Sequence, residues 1–266
     1  TGNVAVGQGA LLANTTASDN VAMGYDALVA NTTGAEGVAI GRNSLDANTT
    51  GNNNVGIGYS SLGANTTGGS NVAVGSYALD ANTTSSDNVA VGHHSLGTNI
   101  TGTQNTAIGK GSLFSNTTSN NTAAGFEALN ANTTGTQNVA VGAGALDANT
   151  TAANNTAVGY RAAYTQEGAS AQNTAVGMSA LYTNNGGEYN TALGYYSMQG
   201  ATTGDYNTAI GASTMVAANT GSYNNAVGYL ALTANTSGAQ NNAVGAGSLD
   251  ANTTGSYNTA MGHDSL

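Results

Sequence analysis

Apolar and small polar residues in this chain recur at one fixed spacing. Aligned on the Gly of Asn-Val/Thr-Ala-Val/Ile-Gly, the pattern places that Gly at 7, 24, 41, 58, 75, 92, 109, 125, 142, 159, 177, 194, 211, 228, 245 and 262. The step is 17 residues, with one of 16 and one of 18. A short fixed period is the mark of a solenoid. The unit reads N-[VT]-A-[VI]-G-x-x-[AS]-L-x-A-N-T-T-G-x-x. It predicts two extended segments, Asn-Val-Ala-Val-Gly and a second one centred on Ala-Leu-x-Ala-Asn-Thr-Thr, with Gly and small polar residues punctuating both. No stretch holds a 3.6-residue apolar period long enough for a helix.

Seventeen residues cannot enclose a core alone, but stacked coils can. Coils hydrogen-bonded at ~4.8 Å bring equivalent side chains into ladders, and sixteen of them predict a rod of roughly 75 Å. The expected fold is therefore all-β: a parallel β-solenoid (β-roll or β-helix) of about sixteen 17-residue coils, continuous over 1–266. Leu11, Leu28, Leu45 and their successors form an interior column, with Ala163, Met198 and Met215 replacing Leu in three coils. Val6, Met23, Ile40 and Ile57 begin a second apolar column. Ala5, Ala22 and Ala39 begin a third, broken only by Gly56. A column that admits nothing larger than Ala marks close approach, either to the opposite wall of the coil or to a second chain. The position before it drifts from Val4 and Val21 to Thr156 and Thr174, then to Asn225 and Asn242, as a half-exposed face would.

The Gly of the motif is unbroken in all sixteen units, which predicts positive φ or backbone crowding. Asn opens fifteen of the sixteen units, Gly37 being the exception. A second Asn column precedes Thr-Thr, at Asn14, Asn31, Asn48, Asn65, Asn82, Asn116, Asn132, Asn149 and Asn252. Stacked Asn side chains can bond along the ladder or satisfy turn backbone. The units from 160 to 220 are the least regular and hold the insertion, including Tyr164–Gly168 and Asn184–Glu188; insertions in solenoids fall on a loop face.

Composition sharpens this picture. Leu, Ile, Val and Phe number 40 of 266, too few for an ordinary packed core but enough for ladders. Three Lys+Arg against thirteen Asp+Glu, net −10, exclude nucleic acid and disfavour an anionic membrane surface. No run approaches the ~20 apolar residues of a membrane span. The chain lacks Cys, so disulfides and thiolate metal sites are impossible. It opens without Met and partway through a repeat, which predicts a segment of a longer fibre.

Little points to catalysis, and no cofactor or metal is expected. The only histidines are His93, His94 and His263, the last ten coils away. Asp46, Asp80, Asp147 and Asp250 share a column but not adjacent coils, and no calcium-loop pattern exists. Gly-x-Gly recurs without the third Gly of a dinucleotide site. Arg42, Lys110 and Arg161 are too dispersed for a solenoid polysaccharide lyase or hydrolase. Asn-Thr-Thr matches the N-glycosylation sequon, yet sugars are wider than a ~4.8 Å coil spacing, which favours a structural ladder over modification. Tyr25, Tyr59, Tyr160, Tyr195 and Tyr229 follow the unbroken Gly, and Tyr189, Tyr206, Tyr223 and Tyr257 precede the next Asn. Exposed Tyr beside Asn and Thr suits sugar stacking; the plainer alternative is that Tyr caps the core ends.

Asn155-Thr156-Ala157-Val158-Gly159-Tyr160 and Asn190-Thr191-Ala192-Leu193-Gly194-Tyr195 resemble the tandem units of phage tail-fibre and related bacterial surface-fibre proteins. Gly37-Val38-Ala39-Ile40-Gly41 is similar to the head repeats of trimeric autotransporter adhesins. The resemblance covers the whole chain. It implies a left-handed parallel β-solenoid used for attachment, outside the cell, on a cell surface or a virion. The expected function is a non-enzymatic fibre or adhesin segment that self-associates, as a trimer or an end-to-end filament, with a cell-surface glycan or receptor as a further partner. Two alternatives stand beside it. One is an ice-binding solenoid, opposed by the breaks at Ile100, Glu167, Asn185 and Asn219 in the Thr15 column. The other is a glycosylated, self-assembling surface filament.

Overall fold

The computed structural model describes residues 2–167, 171–201 and 203–266. The chain divides into two compact units, Thr1–Thr134 and Gly135–Leu266. In the first, the strands are Val4–Val6 (β1), Val21–Met23 (β2), Val38–Ile40 (β3), Val55–Ile57 (β4), Val72–Val74 (β5), Val89–Val91 (β6), Thr106–Ile108 (β7) and Thr122–Ala124 (β8). Each pairs in parallel with the next, one coil on, in the register Val4↔Val21, Ala5↔Ala22, Val6↔Met23. In the second, Val139–Val141 (β9), Thr156–Val158 (β10), Thr174–Val176 (β12), Thr191–Leu193 (β14), Thr208–Ile210 (β15), Asn225–Val227 (β16), Asn242–Val244 (β17) and Thr259–Met261 (β18) pair the same way. Thr165–Glu167 (β11) and Thr183–Asn185 (β13) form a separate parallel pair. There is no helix among the described residues. Each unit is a parallel β-solenoid of 17-residue coils, as the repeat predicts.

The three-residue strands place their middle residue inward. Ala22, Ala39, Ala73 and Ala90, and in the second unit Ala157, Ala192 and Ala243, are fully buried. Their neighbours on either side point outward, because successive side chains of a strand alternate faces. The close approach takes place within one chain: a Cβ built on Gly56, in the Ala column, would meet Leu45 Cδ1 at 3.3 Å and Ser61 Oγ at 3.1 Å. The Ala column therefore faces the opposite wall of its own solenoid, and no second chain is needed to explain it.

The Leu column is interior. Leu28, Leu45, Leu62, Leu79, Leu96, Leu113 and Leu129 fill the first unit, and Leu146, Leu181, Met198, Met215 and Leu232 the second. These residues are not extended, however. Leu28 has φ +51°, Leu62 +53° and Leu146 +51°, and the whole column stays in the left-handed region. The second predicted extended segment is thus a chain of turns in the regular coils; only β11 and β13 form strands near that part of the unit. A left-handed residue reverses the chain direction, which a strand cannot do, and the closed 17-residue coil needs that reversal. Burial of the Leu side chain offsets a conformational cost of about 1–2 kcal/mol. The backbone is anchored by N–H groups bonding carbonyls one coil on, such as Leu45 N–H to Ser61 O at 3.0 Å.

Of the irregular segment 160–220, Gly168 lies outside the described residues. The segment Asn184–Glu188 is described, and Gly187 N–H closes a local turn by donating to Asn184 Oδ1 at 3.0 Å.

Candidate functional site

The candidate residues separate into an internal Asn ladder and an exposed aromatic edge. The Asn before Thr-Thr lies inside the solenoid. Asn31, Asn48, Asn65, Asn82, Asn116 and Asn132 in the first unit and Asn149 in the second are buried, while Asn14 and Asn252 are half-buried. Asn48 Nδ2 donates to Asn31 Oδ1 at 2.9 Å, Asn65 Nδ2 to Asn48 Oδ1 at 2.9 Å and Asn82 Nδ2 to Asn65 Oδ1 at 2.8 Å. Asn132 bonds Asn116 and Asn252 bonds Asn235 in the same way. Asn31, Asn48, Asn65, Asn82, Asn149 and Asn252 also close a local turn on the carbonyl three residues on, as Asn65 Nδ2 does on Gly68 O at 3.0 Å. These Asn are consumed by structure, so for the seven buried ones a surface position does not hold. A buried carboxamide also gives an attached sugar no room.

Four further members of this ladder have no Thr-Thr after them. Asn99 precedes Ile100 and Asn184 precedes Asn185; Asn235, before Thr-Ser, bonds Asn219, before Thr-Gly. Gln166 takes the same part in the irregular region, accepting from Asn184 Nδ2 at 3.1 Å. Asn99, Gln166, Asn184 and Asn235 all stand three residues after the core column, at Leu96, Ala163, Leu181 and Leu232, and that distance finds them; Asn219 stands four residues after Met215 and joins the ladder from one position further on.

The Asn that opens each unit forms a second internal ladder. Its Oδ1 accepts the backbone N–H of its equivalent one coil on: Asn71 N–H to Asn54 at 3.0 Å, Asn88 to Asn71 at 3.0 Å, Asn155 to Asn138 at 3.0 Å. Its Nδ2 donates to a carbonyl fourteen residues on, Asn54 to Gly68 O at 2.7 Å. Gly37 removes one rung.

The first Thr of Asn-Thr-Thr is likewise engaged. Thr32 Oγ1 donates to Thr49 O at 3.0 Å, Thr49 to Thr66 O at 3.0 Å and Thr66 to Thr83 O at 3.0 Å. These hydroxyls satisfy backbone carbonyls and do not present a free array to water.

The five Tyr after the unbroken Gly lie at the surface, between 41 % (Tyr59) and 60 % (Tyr229) exposed. Arg42 sits over the Tyr25 ring at 5.5 Å, and Arg161 over Tyr160 at 5.2 Å. Tyr59 meets Tyr77 edge-on at 5.1 Å, and Tyr195 lies 4.0 Å from Tyr196 at a tilt of 38°. The other Tyr column behaves differently. Tyr189, Tyr206 and Tyr223 occupy successive coils and stack in parallel, 4.8 and 5.0 Å apart. Their faces cover one another, and the raised Tyr206 hydroxyl pKa follows from partial desolvation and the flanking Tyr189 and Tyr223.

His93 and His94 belong to an aromatic cluster on the first unit. Tyr77 stacks on His94 at 5.0 Å, His93 meets His94 edge-on at 4.2 Å, and Phe114 meets His94 at 5.8 Å. Burial holds the nearby Asp80 carboxyl above its ordinary value, against the opposing pull of backbone N–H groups and His94. Among the described residues, no three His, Cys, Asp or Glu come together to hold a metal ion. Comparison with models of known protein families and with curated protein sequences finds no match.

Proposed function

We propose that this chain is a structural segment of an extracellular fibre that self-associates along its sheet and attaches through its exposed aromatic edge. One observation carries the reading. Every inward Ala of the sheet is flanked by two outward side chains, so the first unit presents paired columns of Val21, Val38, Val55 and Val72 beside Met23, Ile40, Ile57 and Val74. Met23 and Ile57 are exposed, and the others are half-buried. A contiguous, partly exposed aliphatic strip fits an interaction surface.

The occupant that fits is a second copy of this chain. The strip repeats at the ~4.8 Å strand spacing, carries no charge, and needs a partner with apolar groups at the same spacing. Another solenoid of this sequence supplies them. The resemblance to tail-fibre and trimeric adhesin repeats supports the same assignment, as does the side-chain chemistry: ladders and turns engage the repeated Asn and Thr side chains.

The test is the solution mass by light scattering, on the wild type and on Val55→Lys/Ile57→Glu. A wild-type trimer or filament that becomes a monomer in the variant, with unchanged β-sheet circular dichroism, is the expected result. A monomeric wild type at micromolar concentration would defeat the reading.

A further inference from the structure

The position after the unbroken Gly alternates. In the first unit it is ring-bearing at Tyr25, Tyr59, His93 and Phe126, and Gln8, Arg42, Ser76 and Lys110 stand in the coils between. In the second it is ring-bearing at Tyr160, Tyr195, Tyr229 and His263, alternating with Ala143, Met178, Ala212 and Ala246. A ring thus occurs on every second coil and never on two in succession, and all eight are exposed.

Packing does not require this. Coils are equivalent within a ladder, and the same turn accepts Ala, Ser, Met, Arg and Lys. Core capping would place rings irrespective of coil parity. The alternation does have one physical consequence, which the other Tyr column makes visible. Where Tyr occupies successive coils, at Tyr189, Tyr206 and Tyr223, the rings stack 4.8 to 5.0 Å apart and hide their faces. Leaving out every second ring doubles the spacing to about 9.6 Å, twice the strand separation, so that no ring of this column stacks on the next one.

We infer that the Tyr195–Ala212–Tyr229 stretch of the second unit binds a neutral, extended β-1,4-linked polysaccharide running along the coil stack. Successive sugars in such a chain are turned over, so the same apolar C–H face recurs at every second ring, and the length of two sugars approaches the ring spacing. Aromatic faces take up those C–H faces. Small Ala212 stands between Tyr195 and Tyr229, whereas Arg42 lies over Tyr25, Lys110 lies 5.8 Å over Phe126 and Arg161 lies 5.2 Å over Tyr160. Tyr229 is the most exposed of the five Tyr and has no ring or cation partner among the described residues. A charge of −10 on the chain disfavours an anionic glycan and leaves a neutral one. The inference rests on the attachment reading above and specifies its ligand.

Affinity electrophoresis through gels containing soluble β-1,4-glucan or soluble α-1,4-glucan tests it. The wild type should be retarded by the β-linked chain and not by the α-linked one. Tyr229→Ala should weaken retardation about three- to tenfold, the scale of one aromatic stacking contact. The decisive variant is Ala212→Tyr/Tyr229→Ala, which keeps the ring count but puts two rings on successive coils; it should bind no better than Tyr229→Ala. Equal retardation in both gels, or full binding by the shifted variant, overturns the assignment. Circular dichroism and solution mass on the same proteins separate the causes. A folded, self-associating wild type without β-glucan retardation sinks this ligand alone, and loss of self-association sinks the fibre reading.

Discussion

A Cβ built on Gly92 would lie 2.6 Å from the carbonyl carbon and oxygen of Gly109. Gly92 has φ +134°, and the same relationship recurs along the column, as between Gly58 and Gly75 at 2.6 Å. Two constraints therefore coincide: a backbone conformation that L residues resist, and a neighbouring coil whose backbone occupies the Cβ position. Gly92→Ala is expected to destabilise the fold by more than about 2 kcal/mol. Gly63→Ala is the control, since a Cβ there meets nothing nearer than 3.4 Å, and it should be close to neutral. Urea denaturation of the two variants checks the contrast.

Asn65→Ala removes donors to Asn48 Oδ1 and Gly68 O and takes from Asn82 Nδ2 one of its two acceptors, Ser85 O being the other. A loss of about 2–4 kcal/mol is expected for breaking several buried bonds at once. Asn65→Asp should also destabilise near neutral pH, because a carboxylate cannot donate either bond. Intact mass of the chain secreted from a glycosylating host should show no sugar at the buried sequons. A glycan mapped to Asn65 or Asn82 on folded protein would contradict the internal placement.

Gly37 interrupts the opening Asn ladder, and its backbone is compatible with a side chain. A Cβ there meets Asn20 Oδ1 at 2.9 Å, the atom that accepts the Gly37 N–H, and nothing else nearer than 3.8 Å. Gly37→Asn offers Asn54 N–H an acceptor and reduces unfolded-state entropy. A gain of about 1 kcal/mol is expected, read as a rise in Tm.

Asp80 supplies a pH dependence. Burial raises its folded pKa, so between the ordinary carboxylate value and the raised one the native state holds a proton that the unfolded chain has lost. Its contribution to stability is therefore most favourable below the ordinary value and declines as pH rises through that window. Asp80→Asn should raise Tm at neutral pH and give no gain at a pH below both values. Equal Tm differences at both pH values would show that the carboxyl's charge is not the cause.

Much of the candidate site was legible, though unevenly. The Tyr after the unbroken Gly stood between a surface ring and a cap on the core ends, and its exposure came from the structure. The Asn before Thr-Thr could not be placed by sequon alone, because the same three residues suit a surface acceptor and an internal Asn turn. The steric argument from coil spacing pointed inward, and the bonds from Asn48 to Asn31 and from Asn65 to Asn48 show the side chains there. The partners of His93 and His94, Tyr77 and Phe114, lie sixteen to twenty residues away along the chain and become neighbours only when coils stack.

By itself, the sequence determined the coil length, the parallel in-register stacking, the interior Leu column and the need for Gly after each strand. A 17-residue period leaves one way to superpose equivalent positions, and a column of Leu among small polar residues has one place to go. Tertiary structure decided what each column faces. A three-residue strand can bury its middle residue or its two ends, and the larger Val and Ile would ordinarily favour the ends. The narrow coil admits one Leu and one Ala between its walls, as Leu45 beside Gly56 shows, so Ala turns in and the aliphatic pair turns out. The same closure forces the Leu backbone into the left-handed region, a state that no local preference of Leu would select and that only the buried side chain sustains.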